Sequence, residues 1–188
     1  MRPLYDDGAA SATAATRDYV LKLDGEQDEA PLLNIFGGKI TTYRRLSEKA
    51  VEMLRLRFEE MDPDWTAGIP LPGGDFPVDG VKTLVSVLRG GYPFLDPAWA
   101  LRLVRAYGTD APRMLGDATS LEDLGTHFGW NLYAREVQWL MDREWASTAD
   151  DVLWRRSKVG LRVSKEEAER LDVWMASTKG EMVDAEAT

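Results

Sequence analysis

The sequence contains no cysteine and only one histidine, His127, among its 188 residues. Disulfide bonds and thiolate metal sites are therefore excluded, and so is a histidine-rich metal centre. All apolar runs are far shorter than the roughly 20 residues that a membrane-spanning helix needs. The first residues also lack the apolar core of a signal peptide. These absences predict a cytoplasmic protein, and they leave open a peripheral contact with the inner face of the cell membrane through an amphipathic helix.

Positive charge is also in short supply, because 23 Lys and Arg residues stand against 32 Asp and Glu residues. The net charge of −9 argues against nonspecific binding of nucleic acid through a basic surface. Apolar residues nevertheless make up 44% of the chain and include seven tryptophans. The composition is that of a soluble globular protein, with enough residues for one domain or for one domain and part of another.

The first third of the chain reads as two strands and a helix. Residues 18–23 and 31–36 are apolar and are joined by a polar turn, which predicts a pair of strands. Residues 43–61 carry an apolar stripe spaced by three or four residues, which predicts a helix. Thr41 or Thr42 is its predicted N-cap. We interpret residues 1–61 as one unit.

The rest of the chain is predicted to be helical. Residues 62–79 are rich in proline and glycine and are predicted to form a linker, whereas residues 80–178 carry apolar stripes at helical spacing. Helix-boundary signals are Asp96 before Pro97, Gly108, Thr148 with Asp151, and Ser164 with Glu167. Residues 179–188 are small and acidic, which predicts a disordered tail. The predicted fold class is mainly α, with a helical C-terminal domain after a short strand and helix segment.

Three other features have ordinary structural interpretations. His127 has no carboxylate pattern beside it, so a structural or surface role is predicted. The basic cluster Arg155, Arg156 and Lys158 is predicted to form salt bridges to acids such as Asp151 or to contact another domain, with phosphate and anionic lipid as alternatives. Five tryptophans are predicted to pack in the core rather than to bind quinone; they stand at positions 130, 139, 145, 154 and 174.

The passage from the second strand into the first helix is the motif with chemical content. Gly37 and Gly38 allow close approach of a ligand to the backbone, because neither residue has a Cβ atom. The helix after them offers unpaired N–H groups and the positive end of its dipole. Such a place stabilises negative charge, as on N1 and O2 of a reduced flavin. By itself the motif more often marks a tight turn before a surface helix.

Several separate motifs, in the right order, resemble the FAD-dependent, aerobic and quinone-linked glycerol-3-phosphate dehydrogenases. Residues 35–44, IFGGKITTYR, resemble the final flavin-contacting segment of that family. The other motifs are RPLYDD at 2–7, TRDY at 16–19, LPGGD at 71–75, EWA at 144–146 and DDVLWRRSK at 150–158. The resemblance covers residues 1–178. It implies that residues 1–61 are the remnant of a flavin-binding domain and that residues 80–178 are the helical C-terminal domain.

The resemblance also implies an activity and a set of site residues. The whole enzyme would oxidise sn-glycerol 3-phosphate to dihydroxyacetone phosphate, pass a hydride to FAD, and pass electrons on to a membrane quinone. Arg2 and Arg17 match arginines of the substrate site, where a guanidinium suits a phosphate dianion. The positions that match flavin contacts are Gly37, Gly38, Lys39, Ile40 and Thr41. The resemblance identifies no metal site, and the catalytic base is not assigned.

One hallmark of the family has no match in this sequence, namely the Gly-x-Gly-x-x-Gly turn that binds the FAD pyrophosphate. We therefore expect an N-terminal flavin domain to be the partner of this chain and to hold most of the cofactor. This polypeptide alone is expected to be inactive. Two alternatives stay open: a glycerol-3-phosphate oxidase that uses oxygen, and a helical interaction module without catalysis.

Overall fold

The computed structural model describes residues 18–25, 30–58 and 61–186, without the side chains of residue 56 and of residues 179–186. The chain divides into two compact units between Ile69 and Pro70. The mainly α fold class predicted from the sequence is confirmed. No helix in the described part of the chain is long and apolar enough to cross a membrane.

The first unit contains an antiparallel pair of strands, β1 (Tyr19–Asp24) and β2 (Leu32–Gly37). Tyr19 pairs with Gly37 at one end and Asp24 with Leu32 at the other. Both strands were predicted from the sequence, and each lies one residue further along the chain than predicted. The side chain of Asn34 donates to Asp24 at 2.7 Å, which joins the two strands beside the turn.

Helix α1 (Tyr43–Leu54) comes after β2 and a single 3₁₀ turn over Ile40–Thr42. Its N-cap is Thr42, which is one of the two residues predicted for this position. The helix is tied to the segment after it through Glu48, which accepts from Arg44 at 2.7 Å and from Thr66 at 2.5 Å. The Thr66 hydrogen bond is the main reason that the pKa of Glu48 is lowered, and the charge of Arg44 adds to it against some desolvation.

The second unit is helical and has its own hydrophobic core. Its helices are α2 (Val81–Gly91), α3 (Pro97–Tyr107), α4 (Ala111–Leu115), α5 (Ala134–Glu144) and α6 (Lys165–Glu186). All hydrophobic side chains that are buried in the described structure lie between Leu88 and Met175. The predicted disorder of residues 179–188 stays a prediction.

Helix α3 begins and ends where the sequence predicted. The Asp96 carboxylate accepts from the backbone N–H groups of Ala98 at 2.8 Å and Trp99 at 3.0 Å, and Pro97 takes the first helical position. Gly108 ends the helix with a φ of +52°. A Cβ atom at Gly108 would lie 1.8 Å from the carbonyl oxygen of Gly73, so the two glycine backbones meet face to face.

The two predicted capping boxes are also confirmed. Ser164 and Glu167 exchange hydrogen bonds at the start of α6. Asp151 accepts from the backbone N–H of Thr148 at 3.0 Å, and Thr148 accepts from that of Asp151 at 3.2 Å. The Thr148–Asp151 box opens one turn of π-helix, Asp151–Arg156, rather than an α-helix. The register of this π turn is set by Ser157, whose N–H donates to Val152 five residues earlier at 3.1 Å.

The prediction that five tryptophans pack in the core is only partly right. Trp139 and Trp174 lie against the core, but Trp130, Trp145 and Trp154 are 48%, 85% and 42% exposed. Trp130 and Trp145 have positive φ values. The helical spacing of apolar residues in the sequence gives no signal for this backbone conformation. Trp145 is the C-cap of α5 and Trp130 lies in the loop before α5, so the helical periodicity that predicted burial does not apply to either residue.

Candidate functional site

The strand–turn–helix passage of the first unit is built around two glycines with left-handed backbones. Gly37 has a φ of +71° and Gly38 a φ of +104°. A Cβ atom on Gly37 would lie 2.9 Å from the carbonyl oxygen of Asp18, and one on Gly38 would lie 3.2 Å from a methyl group of Leu46. The backbone can therefore leave β2 and turn into α1 only if both positions lack a side chain.

A short hydrogen-bonded turn then sets the start of α1. Lys39 is extended, with φ −119° and ψ 147°, and its carbonyl oxygen accepts from the backbone N–H of Thr42 at 2.9 Å. The Thr42 hydroxyl also donates to this oxygen, at 3.1 Å. These contacts involve Lys39 and Thr42 and not the N–H groups of the two residues between them. The turn is thus fixed by its own hydrogen bonds, and the other described residues leave its outer side exposed.

The open side of the turn presents groups suited to an anion. None of the hydrogen bonds among the described residues uses the N–H of Ile40 or of Thr41. The Ile40 side chain is 86% exposed, and Lys39 and Thr41 are exposed as well. Free N–H groups at the start of a helix, next to an exposed ammonium group, form a positively polarised surface. This arrangement fits the electron-rich edge of a reduced flavin ring.

The structure brings the five predicted cofactor residues, Gly37 to Thr41, together in this one turn. The two predicted substrate residues, Arg2 and Arg17, lie outside the described residues, so their distance from the turn is not defined. The flavin and substrate roles of all seven residues remain predictions. What the structure adds is that the N–H groups of Ile40 and Thr41 have no hydrogen-bond partner among the described residues. The sequence indicated only that a helix starts there.

An apolar surface accompanies the turn, and the sequence analysis did not predict it. Within the described part of the first unit no residue is fully buried. Large apolar side chains of β2 and α1 are exposed, among them Leu32, Ile35, Phe36 and Tyr43. Their alternation and helical spacing in the sequence mark apolar faces of β2 and α1, and the described part of the unit does not bury these faces. Such an apolar surface is typical of an interface with another part of a protein.

His127 lies in the second unit and has structural contacts. Its Nε2 atom is 2.9 Å from the carbonyl oxygen of Trp130, and its ring packs 4.7 Å from that of Tyr133. His127 and Tyr133 also form an isolated antiparallel bridge. The structural or surface role predicted for this histidine stays a prediction. The predicted ion pairing of the basic cluster is confirmed for Arg155, which contacts Asp151 at 2.9 Å.

Comparison with known protein families shows the family to which the chain belongs. Residues 65–182 match the sequence model of a family described as the C-terminal domain of alpha-glycerophosphate oxidase. The match covers more than half of the chain, and the chain belongs to this family. The family predicted from the sequence motifs is thereby confirmed.

Individual relatives extend the similarity over almost the entire chain. A glycerol-3-phosphate dehydrogenase of Pseudomonas aeruginosa is 46% identical over 177 residues, which is 94% of this chain and 34% of the relative. The aerobic glycerol-3-phosphate dehydrogenase of Escherichia coli is 42% identical, over 93% of this chain and 35% of the relative. A D-erythritol 1-phosphate dehydrogenase of Brucella abortus is also 42% identical, over 93% of this chain and 34% of the relative.

The chain therefore spans about a third of the length of the curated relatives that it matches. The remaining two thirds of those relatives have no counterpart in this sequence. The absence of a Gly-x-Gly-x-x-Gly turn agrees with this, because that turn would belong to the flavin-binding part.

Proposed function

We propose that this chain is the C-terminal portion of a flavin-dependent dehydrogenase that oxidises sn-glycerol 3-phosphate to dihydroxyacetone phosphate. The observation that carries the proposal is the open turn from Gly37 to Thr41, within a chain whose relatives are named polyol-phosphate dehydrogenases. FAD, when bound, supplies the acceptor for the hydride from C2 of the substrate. A quinone would take the electrons afterwards, at the inner face of the cell membrane.

In this proposal the residues of the chain have two tasks. The N–H groups of Ile40 and Thr41, with the Lys39 ammonium nearby in sequence, stabilise negative charge on the flavin ring. Arg2 and Arg17 bind the phosphate or the C2 oxygen of the substrate, since a guanidinium donates two parallel hydrogen bonds to such a group.

The domain organisation is part of the proposal. Residues 1–61 would complete the flavin domain, residues 62–79 would act as a linker, and residues 80–178 would form the helical C-terminal domain. The exposed apolar side chains of β2 and α1 support the first of these assignments, because a flavin domain would cover them.

Two observations favour neighbouring activities. The family model carries the name of an oxidase, which supports oxygen as an alternative electron acceptor. The erythritol-phosphate relative is as similar as the E. coli enzyme, at 42% identity for each, which supports a longer polyol phosphate as an alternative substrate. All these activities share phosphate recognition and oxidation of a secondary hydroxyl group.

A chimaera tests the proposal. The chain would replace the matching C-terminal third of the P. aeruginosa relative, and reduction of a quinone analogue would be followed with glycerol 3-phosphate and with erythritol 1-phosphate. We expect glycerol 3-phosphate to be preferred. Oxygen consumption without quinone reduction would favour an oxidase. A preference for erythritol 1-phosphate would make that compound the proposed substrate in place of glycerol 3-phosphate. A folded chimaera that binds FAD but oxidises neither substrate would contradict the proposal.

Arg2→Ala and Arg17→Ala in the same chimaera test the substrate site. Losing a charge-assisted hydrogen bond costs about 1.5–3 kcal/mol, so kcat/KM should fall roughly 10- to 150-fold. Arg17→Lys should recover little, because an ammonium group lacks the bidentate geometry. Arg45→Ala, which removes an exposed arginine of α1, is the control and should change kcat/KM less than about twofold. If the losses follow a fall in melting temperature instead, the two arginines are structural.

A further inference from the structure

The second unit contains a concave site of about 560 Å³ that the proposed activity does not use. It lies between α3, the loop at Trp130, the π turn and the segment directly after the π turn. The described residues that line it combine apolar and cationic side chains, and none is acidic. The cations are Arg102, Arg105, Arg155, Arg156, Lys158 and Arg162.

This concentration of positive charge is unusual for the chain. Six of its 23 lysines and arginines line one cavity of a protein with a net charge of −9. Two of the six have carboxylate partners, since Arg102 pairs with Glu136 and Arg155 with Asp151. Within the described structure the other four have no ion pair. They are Arg105, Arg156, Lys158 and Arg162, and all four are exposed. Arg156 donates to the carbonyl oxygen of Glu144 at 2.7 Å and Lys158 to that of Trp154. An anion in the cavity would be attracted by all four charges.

Arg102 is held by a buried network beneath the cavity. Both of its terminal nitrogens donate to Glu136 at 2.7 Å, and one also donates to the carbonyl oxygen of Asn131 at 3.0 Å. Glu136 is only 3% exposed and accepts a further hydrogen bond from the Tyr107 hydroxyl at 2.7 Å. The Nε atom of Arg102 is buried and has no hydrogen-bond partner among the residues that the structure describes. A buried bidentate pair of this kind fixes the guanidinium orientation, as binding sites require.

The wall opposite α3 is held in an uncommon conformation. Trp130 has a φ of +46°, and the guanidinium groups of Arg102 and Arg162 lie 5.7 and 5.6 Å from the centre of its ring. Arg155 and Arg156 project from the π turn. Left-handed non-glycine residues and π turns are energetically costly, and both occur preferentially at functional sites. The indole orders two of the cations through cation–π contacts.

We propose that this cavity binds a small phosphate-bearing molecule with an apolar moiety. The unpaired cations would hold the phosphate, and Leu101, Val159 and Leu161 would contact the apolar part. The volume of about 560 Å³ lies within the range of small-molecule sites. Because the site uses none of the residues assigned to substrate or flavin, it does not depend on the proposed dehydrogenase activity.

Titration of the ¹⁵N-labelled 188-residue chain with phenyl phosphate and with inorganic phosphate tests the proposal at constant ionic strength. The indole N–H signal of Trp130, identified through Trp130→Phe, should shift and saturate with both probes. Phenyl phosphate should bind at least about threefold more tightly, because its ring is removed from water. Arg105→Ala and Arg162→Ala should each weaken binding about fivefold or more. Lys82→Ala, an exposed cation on α2, should change affinity less than about twofold.

Several results would overturn the proposal. They include a Trp130 signal that does not saturate, and equal losses of affinity in Arg105→Ala, Arg162→Ala and Lys82→Ala. The chain could also sediment with phosphatidylglycerol vesicles. If this sedimentation requires the arginines and phenyl phosphate does not inhibit it, the site would be assigned to a membrane surface instead. Loss of phenyl phosphate binding in the chimaera with the P. aeruginosa relative would show that the cavity is covered by the rest of the protein. Inactivity of that chimaera with binding intact would refute only the proposed function.

Discussion

The two units of this chain differ in where their apolar side chains lie. Among the described side chains, the second unit buries 23 hydrophobic residues, whereas the first unit buries none completely. Yet both units have the same kinds of sequence pattern, with apolar residues alternating along strands or recurring along helices. A sequence pattern thus shows which face of an element is apolar, but it does not show whether the chain itself covers that face.

The largest expected effect comes from paired truncations of apolar side chains. Phe128 in the second unit is 2% exposed, and Phe128→Ala should lower the free energy of unfolding by about 3–5 kcal/mol, because a cavity forms. Leu32→Ala in β2, where the side chain is 61% exposed, should change it by less than about 0.5 kcal/mol. Urea denaturation followed by circular dichroism measures both. Equal losses would mean that the first unit has a core of its own.

A second pair of variants compares a buried carboxylate with a more accessible one. Glu136→Gln should destabilise the second unit by about 3 kcal/mol, because it leaves the Arg102 charge unpaired in a largely buried place. Glu48→Gln removes the partner of Arg44 in the first unit and should have a much smaller effect, since water solvates that arginine. Thermal unfolding of both variants in low and high salt provides the measurement. A larger loss for Glu48→Gln would reverse the comparison.

The smallest expected effect concerns acid stability in the second unit. The pKa of Asp151 is strongly lowered, first by the N–H of Ser147, then by Thr148, with Arg155 contributing least. Its stabilising effect should be complete above the unfolded pKa of about 3.9 and should be lost as the pH falls towards the lowered folded pKa. Asp151→Asn should therefore reduce the melting temperature at pH 6 but much less near pH 2.

Asp150→Asn is the control for this experiment, because Asp150 is exposed and makes no ion pair in the described structure. Its melting temperature should match that of the parent at every pH. A difference between Asp151→Asn and the parent that does not change with pH would mean that the carboxylate charge is not the source of the effect.

Features encoded by neighbouring residues could be predicted from the sequence, and features that join distant segments could not. Asp96, Pro97 and Gly108 bound α3 as expected, because capping depends on a few adjacent residues. The π turn escaped prediction because it depends on the Ser157 contact with Val152, for which helical periodicity gives no signal. The strand–turn–helix at Gly37 and Gly38 was predictable as a local motif, but its free N–H pair required the structure.

The basic cavity also joins distant segments, and the sequence alone could not predict it. Arg155, Arg156 and Lys158 are visible as a cluster in the sequence, but Arg102, Arg105 and Arg162 come from other segments. Only the folding of α3 against the loop at Trp130 brings these groups together. Arg102 and Arg105 stand three residues apart on α3, which places them on one face of the helix but does not bring them to the π turn.

The two-stranded sheet of the first unit has a consequence for handling the protein. Within the described residues, β1 pairs only with β2. Leu32, Ile35 and Phe36 of β2 are exposed. Exposed apolar side chains on a sheet strand favour association with the strands of a second copy. Light scattering of concentrated solutions should therefore rise with time and with added salt, as screening weakens the repulsion between copies of net charge −9.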